Sequence, residues 1–362
     1  EMARVLEHNL AQGAFGISYG LDYVPGRYAK TEELVYFAKL VARAGGVAAA
    51  HLRHCLGVKE ATEEFLEVGR QSGVKLQVSH LKASCPEAFD AVLDYAGGAG
   101  AVLVDTIPAS TAHCQSKDRA LLFMASTNDE LFDKGLAGIK EAVKSPEGRA
   151  LLRSDPYFID RDQSRNTLWK TGDPAMDGKS VEELAQALGQ DPKEYLLDLF
   201  ASDRDFILWC GGAGRRDFSM EIHGESILAN PYVCAGGDEI LGDPEDPFDW
   251  YELLRRGAMP IFIKGNLKKG MPLEEVIRRN TSMVADHFSI AERGRLAPGN
   301  FADIAVIDLE RYAFVPEEEV TPLKPNEMAR GVELVLVNGK PALEDGSVRF
   351  IKSGRVLRRG KA

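Results

Sequence analysis

The sequence predicts an α/β fold built on a parallel sheet, of the type found in α/β barrels. Between residues 14 and 104, short apolar runs alternate with amphipathic helical stretches. The links between them are short, as in right-handed β-α-β units. A barrel takes about 250 residues, and the chain has 362. The sequence therefore has room for a barrel region and for additional segments.

Four predicted strands and three predicted helices make up the region 1–107. The strands are expected at 14–18, 46–50, 74–79 and 101–104, and the helices begin near Thr31, Lys59 and Pro86. In the second helix, Ala61, Phe65 and Val68 recur at helical spacing, and Gly73 is typical of a residue that ends a helix. We assign 1–107 to successive β-α units of the barrel.

The alternation of strands and helices stops at Pro108. Residues 108–226 are more polar, and they contain helix starts of two kinds. Ser180 and Glu183 form a capping box, and Asp191 precedes a proline at the first helical position. We interpret 108–226 as an inserted helical segment that lies over the barrel mouth as a lid.

The remainder of the chain divides at residue 293. Residues 227–292 are assigned to the last barrel unit, with a strand at 231–237 followed by helices. Beyond residue 293 strands dominate, and Asn338-Gly339 is a strong signal for a hairpin turn. We predict that 293–362 forms a small sheet packed outside the barrel.

The composition restricts the class of partner and the compartment. The formal net charge is −11, which argues against nucleic acid, because phosphate binding requires clustered Lys and Arg. No apolar run approaches the roughly 18 residues of a membrane span. The five cysteines include no Cys-x-x-Cys pair, so a disulfide framework is not expected. We predict a cytoplasmic protein.

Two histidines and one aspartate stand where predicted strands end. His51 follows the apolar run 46–50, His80 follows 74–79, and Asp238 follows 231–237. The carboxyl ends of barrel strands open on one face, so residues far apart in sequence can meet there. Two neutral imidazoles and a carboxylate suit a divalent metal of the zinc type. The alternative is that these are polar strand ends hydrogen-bonded to loops.

Two cations follow the histidines at the same spacing. Arg53 and Lys82 each come two residues after a histidine, so we expect both at the barrel mouth. There they are candidates for binding a substrate carboxylate, with Arg able to do so through two parallel hydrogen bonds. The alternative is a salt bridge across the barrel rim, which is a closer rival for Arg53 than for Lys82. His54 is interpreted as structural or exposed and receives no role.

The combination of a metal and a carboxylate predicts a hydrolase. A bound metal lowers the pKa of its water to about 7 and polarises a carbonyl. A nearby carboxylate can accept the proton of that water and return it to a leaving nitrogen. On this hypothesis His51 and His80 bind the metal, and Asp238 is the acid/base.

Motifs along almost the whole chain resemble one family. They are the runs 13–18 and 23–26, His51-x-Arg53, Ser79-His80-Leu81-Lys82, Asp105-x-x-Pro108 with Ser110-Thr111, and the runs 178–180, 293–303 and 337–341. Together, in this order and spacing, they resemble the D-aminoacylase (N-acyl-D-amino-acid deacylase) branch of the amidohydrolase superfamily.

The resemblance implies a metal-dependent (β/α)8 barrel, with only its later strands in this chain, beside a β-sandwich. It implies that His51 and His80 are ligands of one or two zinc ions and that Asp238 handles the proton of the metal-bound water. It also implies that Lys82 helps to bind the substrate. The expected reaction is hydrolysis of a C–N amide bond in a small carboxylate-bearing substrate, with N-acyl-D-amino acids as the first choice.

The sequence departs from the family pattern at three places. The family's His-x-His pair and metal-binding Cys are expected before Glu1, so we predict that a second polypeptide or an N-terminal segment completes the barrel. Ala109 replaces an expected aromatic residue, and Glu239 with the acidic stretch 243–247 replaces the family's usual segment after Asp238. Two alternatives therefore stay open: a cyclic amide or imide hydrolase, and a catalytically silent binding subunit.

Overall fold

The computed structural model describes ten segments of the chain: 1–23, 25–82, 85–98, 100–108, 113–125, 128–154, 166–210, 227–238, 257–315 and 328–360.

A five-stranded parallel sheet forms the centre of the structure. Its strands are β1 (Gly16–Gly20), β2 (Val47–His51), β3 (Lys75–Val78), β4 (Val102–Thr106) and β8 (Val233–Ala235). They lie in the order β1-β2-β3-β4-β8, and every neighbouring pair is parallel. The predicted α/β class with a parallel sheet is confirmed, although several strands begin one or two residues later than expected.

Helices connect these strands and cover the sheet. They are α1 (Met2–Ala11), α2 (Thr31–Arg43), α3 (Val58–Ser72) and α4 (Pro86–Gly97). On α3 the residues predicted to face inward, Ala61, Phe65 and Val68, are fully buried. Gly73 adopts the left-handed conformation that ends the helix, with φ of 70°. The main apolar core lies between these helices and the sheet.

The segment between β4 and β8 has a second apolar core of its own. Its helices are α5 (Lys117–Met124), α6 (Asp129–Phe132), α7 (Gly135–Ala142), α8 (Pro146–Ser154), α9 (Val181–Ala187) and α10 (Pro192–Ala201). The capping box of Ser180 and Glu183 is present, and Asp191 accepts hydrogen bonds from the first turn of α10.

The segment 108–226 contains strands as well as the helices that the sequence predicts. Three strands, β5 (His113–Ser116), β6 (Thr167–Trp169) and β7 (Ile207–Cys210), form an antiparallel sheet in the order β5-β7-β6. Strands of three or four residues separated by long stretches of helix give little periodicity, so their pairing is not visible in the local sequence.

Among the residues described after β8, three helices are followed by a second antiparallel sheet. The helices are α11 (Ala258–Lys268), α12 (Leu273–Asn280) and α13 (Ser282–Phe288). The strands β9 (Ile304–Ile307), β10 (Val332–Val337), β11 (Lys340–Glu344) and β12 (Ser347–Val348) lie in the order β12-β11-β10-β9. Asn338 and Gly339 both have positive φ, as the predicted hairpin turn requires.

No helix in the described segments has the length and apolar character needed to cross a membrane.

Candidate metal centre and catalytic site

His51 and His80 lie in contact at the carboxyl edge of the sheet. His51 is the last residue of β2, and His80 follows the end of the neighbouring strand β3. The Nδ1 atom of His51 is 3.0 Å from the Nε2 atom of His80, and their ring centroids are 4.6 Å apart. The structure therefore brings together the two imidazoles that the sequence selected.

The spacing of these two nitrogens fits a shared metal ion. Nitrogens bound tetrahedrally at about 2.0–2.1 Å from zinc are separated by roughly 3.3 Å. The observed separation of 3.0 Å is close to this value. Two half-buried imidazole nitrogens at ligand spacing form a suitable donor pair for a zinc-type cation.

Asp22 and His54 lie on the other side of His51. The Oδ2 atom of Asp22 is 3.3 Å from Nε2 of His51 and 3.1 Å from Nδ1 of His54. One ligand atom from each of these three residues lies within 4.8 Å of the other two. The sequence predicts no role for His54, and its local pattern does not single out Asp22. The signal available for Asp22 is its position, two residues after the end of β1.

Burial and the neighbouring groups have opposing effects on the pKa values of Asp22 and His54. Burial alone would raise the pKa of Asp22, but hydrogen bonds from His51 and His54 hold that pKa well below its ordinary value. Burial lowers the pKa of His54, and the nearby positive charge of Lys82 lowers it further, although Asp22 opposes the shift. The carboxyl of Asp22 is therefore ionised and the imidazole of His54 is neutral at pH about 7.

Asp238 and His80 line the same cavity. The cavity has a volume of about 400 Å³, and its lining includes Gln77, Asp105 and Asn280. Asp238 follows β8, which pairs with β4, and its side chain is exposed. Both Asp238 and His80 have positive φ, 45° and 39°, a conformation that non-glycine residues seldom adopt.

Asp105 holds the backbone of His80 in position through a hydrogen bond. Its Oδ1 atom accepts the backbone N–H of His80 at 2.9 Å, and its Oδ2 atom accepts a hydrogen bond from the Gln77 amide. Burial raises the pKa of Asp105 to about 6. A Cβ at Gly236 would lie 2.1 Å from Oδ1 of Asp105, so only glycine at 236 leaves room for this carboxylate.

Arg53 does not share the surroundings of the histidines. It is buried, with 8% of its surface exposed. Its guanidinium donates to Glu64 at 3.2 Å and to the backbone carbonyls of Arg27 and Ala29. These contacts favour the salt-bridge alternative, since they tie the end of β2 to the loop after β1. Strand β2 ends at His51, so the two-residue spacing no longer keeps Arg53 on the same face.

Replacing Arg53 by methionine is expected to lower the free energy of unfolding by about 2–4 kcal/mol, because it leaves the half-buried Glu64 without its cation. Chemical denaturation measures the change. Arg349→Met removes an exposed Arg–Glu pair and serves as the matched control, with an expected loss below about 1 kcal/mol. Equal losses in the two variants would contradict a structural role for Arg53.

Lys82 is half-buried and lies close enough to His54 to affect its pKa. Its assignment to substrate binding stays a prediction. Ala109, Ser110, Thr111, Glu239 and the acidic stretch 243–247 lie outside the described residues.

Known proteins resemble this chain in sequence over its whole length. No family model matches it. It is 26% identical over 368 residues to a D-aminoacylase of Alcaligenes xylosoxydans xylosoxydans, covering 100% of this chain and 65% of the relative. It is 27% identical over 361 residues to an N-acyl-D-glutamate deacylase of the same organism, covering 99% and 64%. The resemblance to the D-aminoacylase branch is confirmed. The chain spans slightly less than two thirds of the length of these curated relatives.

Two solved structures of D-aminoacylase also resemble the chain. Each is 25% identical to this chain. The match covers 99% of this chain and 65% of the solved chain, with TM-scores of 0.63 and 0.64. One is described with a binuclear metal centre, and the other as defining a novel subset of amidohydrolases. The D-aminoacylase resemblance thus extends from the sequence to the overall fold.

Proposed function

We propose that the protein containing this chain is a zinc-dependent amidohydrolase that cleaves the C–N amide bond of N-acyl-D-amino acids. The observation that carries the proposal is the 3.0 Å contact between Nδ1 of His51 and Nε2 of His80, with Asp238 on the cavity that His80 lines. The likeness to D-aminoacylase and to N-acyl-D-glutamate deacylase supports the substrate class.

Each residue has a separate task in this proposal. His51 and His80 would hold one zinc ion, and a second ion would match the binuclear centre described for D-aminoacylase. Bound zinc supplies an acidified water and a polarised carbonyl. Asp238 accepts a proton from the attacking water and returns it to the leaving nitrogen. Asp105 and Gln77 hold the backbone of His80 in place.

Lys82 is the proposed partner of the substrate carboxylate. It lies near His54 at the same edge of the sheet, and its ammonium is a point charge suited to a carboxylate. Arg53 is not assigned to the substrate, because its guanidinium bonds to Glu64 and to two carbonyls.

The wider architecture is part of the proposal. We place the five parallel strands in a (β/α)8 barrel, with 1–107 and 227–292 supplying barrel units, 108–226 a lid-like insertion, and 293–362 part of a β-sandwich. A second polypeptide or an N-terminal segment would complete the barrel. The fold shared with D-aminoacylase supports this arrangement. A cytoplasmic location is proposed from the cysteine content.

A hydrolysis screen tests the proposal directly. The zinc-loaded protein is given N-acetyl-D-amino acids with acidic and apolar side chains, their L-enantiomers as matched controls, and cyclic imides. We expect amine release from D-substrates and none from L-substrates. Turnover of cyclic imides alone would support the cyclic amide or imide alternative. Zinc binding without any turnover would support a silent binding subunit.

A further inference from the structure

The Asp22 carboxylate lies between two imidazole rings. Its Oδ2 atom is 3.3 Å from Nε2 of His51 and 3.1 Å from Nδ1 of His54. The carboxylate and both rings are shielded from solvent, with 22% of the Asp22 side chain, 23% of His51 and 11% of His54 exposed. The contact to His54 has an ordinary N–H···O length and the contact to His51 is slightly longer, and the partly dry site strengthens the electrostatic attraction in both.

These contacts determine where the ring protons are. An ionised carboxylate only accepts hydrogen bonds, so each ring nitrogen that faces Asp22 must carry a proton. A neutral imidazole carries one N–H, and its other nitrogen presents a lone pair. His51 is then protonated at Nε2 and bare at Nδ1. His54 is protonated at Nδ1 and bare at Nε2, a buried atom for which the described residues provide no hydrogen-bond partner.

We propose that Asp22 is a positioning residue that holds His51 in the Nε2–H tautomer and so directs its Nδ1 lone pair toward Nε2 of His80. The inference rests on the proposed function for the identity of the zinc ion between these two nitrogens. Metal-binding histidines commonly donate their other N–H to a carboxylate, which orients the ring and raises its basicity. Asp22 occupies that position for His51, and His54 supplies a second hydrogen bond that fixes Asp22.

A competing arrangement uses the same residues. Asp22, Nε2 of His51 and Nδ1 of His54 are close enough to bind a cation directly. That arrangement requires the opposite tautomer of His51, with the proton on Nδ1 and donated to Nε2 of His80. A neutral imidazole has a single lone pair, so the two arrangements exclude each other. The tautomer of His51 therefore decides between them.

Nitrogen NMR of metal-free protein labelled with ¹⁵N-histidine measures that tautomer. At pH about 8 we expect a neutral His51 to carry its proton on Nε2, with signals assigned by comparison with His51→Gln. In Asp22→Asn the side chain keeps its shape, but its single carbonyl oxygen accepts a hydrogen bond from one ring only. The preference of His51 for the Nε2–H tautomer should therefore weaken. Zinc affinity, measured by chelator competition, should fall about 10- to 100-fold.

Asp90→Asn removes an exposed carboxylate on α4 and is the matched control, with tautomer and affinity unchanged. A proton on Nδ1 of His51 in the wild-type protein would overturn the proposal. So would a zinc affinity that falls in Asp22→Asn and His54→Gln but not in His80→Ala, because that pattern identifies direct ligands. Failure of the wild-type protein to bind zinc would overturn the proposed function instead, and the metal-free tautomer would still decide the role of Asp22.

Discussion

Replacing either His51 or His80 by alanine should remove zinc binding and reduce amide hydrolysis to the uncatalysed background. Each change takes away one of the two nitrogens that lie 3.0 Å apart, and a single imidazole does not retain the ion. Without the ion, the pKa of the attacking water would rise far above about 7, and little hydroxide would be available for attack at neutral pH. Losing a residue that only orients a metal ligand lowers metal affinity by about 10- to 100-fold. Losing the ligand itself should cost more, so we expect zinc affinity to fall by at least about 100-fold in each variant.

Metal analysis and chelator competition measure this loss, and circular dichroism checks that the variants are folded. His8→Ala is the matched control, because His8 is an exposed histidine on α1. It should keep both zinc content and activity. Wild-type zinc content in either site variant would show that the ion is held elsewhere, and the assignment of His51 and His80 would then be wrong.

Asp238→Asn should retain its zinc, unlike the histidine variants, while its turnover falls. Asparagine keeps the size of the side chain but does not accept and return a proton, and general acid–base catalysis contributes about 10²- to 10⁴-fold. We expect kcat to fall within that range while KM changes little. Steady-state kinetics with an N-acyl-D-amino acid, together with zinc content, provide the measurement.

The surface variant Asp90→Asn should behave as wild type in the same assays. A variant Asp238→Asn that loses its zinc would make Asp238 a metal ligand instead of the acid/base. Unchanged turnover with zinc in place would remove Asp238 from the reaction altogether.

The contact between His51 and His80 follows from information that the sequence contains. Each histidine stands at the end of an apolar run, and parallel neighbouring strands end at one edge of a sheet. Asp22 obeys the same rule, but the sequence analysis missed it. The first strand was predicted at 14–18, whereas β1 extends from Gly16 to Gly20. A shift of two residues made Asp22 look like part of a remote loop.

The positions of Arg53 and His54 depend on the path of the backbone after β2 has ended. A two-residue spacing keeps side chains on one face only while the backbone stays extended. Beyond His51 the chain turns into a short 3₁₀ helix, His54–Leu56. This turn directs His54 toward Asp22 and Arg53 toward Glu64. No local pattern distinguishes these two directions, because they are set by partners 11 to 32 positions away.

The pairing of β4 with β8 has a consequence for the order in which the protein matures. Strands β1 to β4 are consecutive along the chain, whereas β8 joins them only after the whole segment with its own core has intervened. Contacts between distant parts of a chain form more slowly than contacts between near ones. We therefore expect the pairing of β2 with β3, which brings the nitrogens of His51 and His80 together, to precede the docking of Asp238. On the proposed function, the two zinc-binding nitrogens would be in place before the acid/base, and hydrolysis would begin only once β8 has paired with β4.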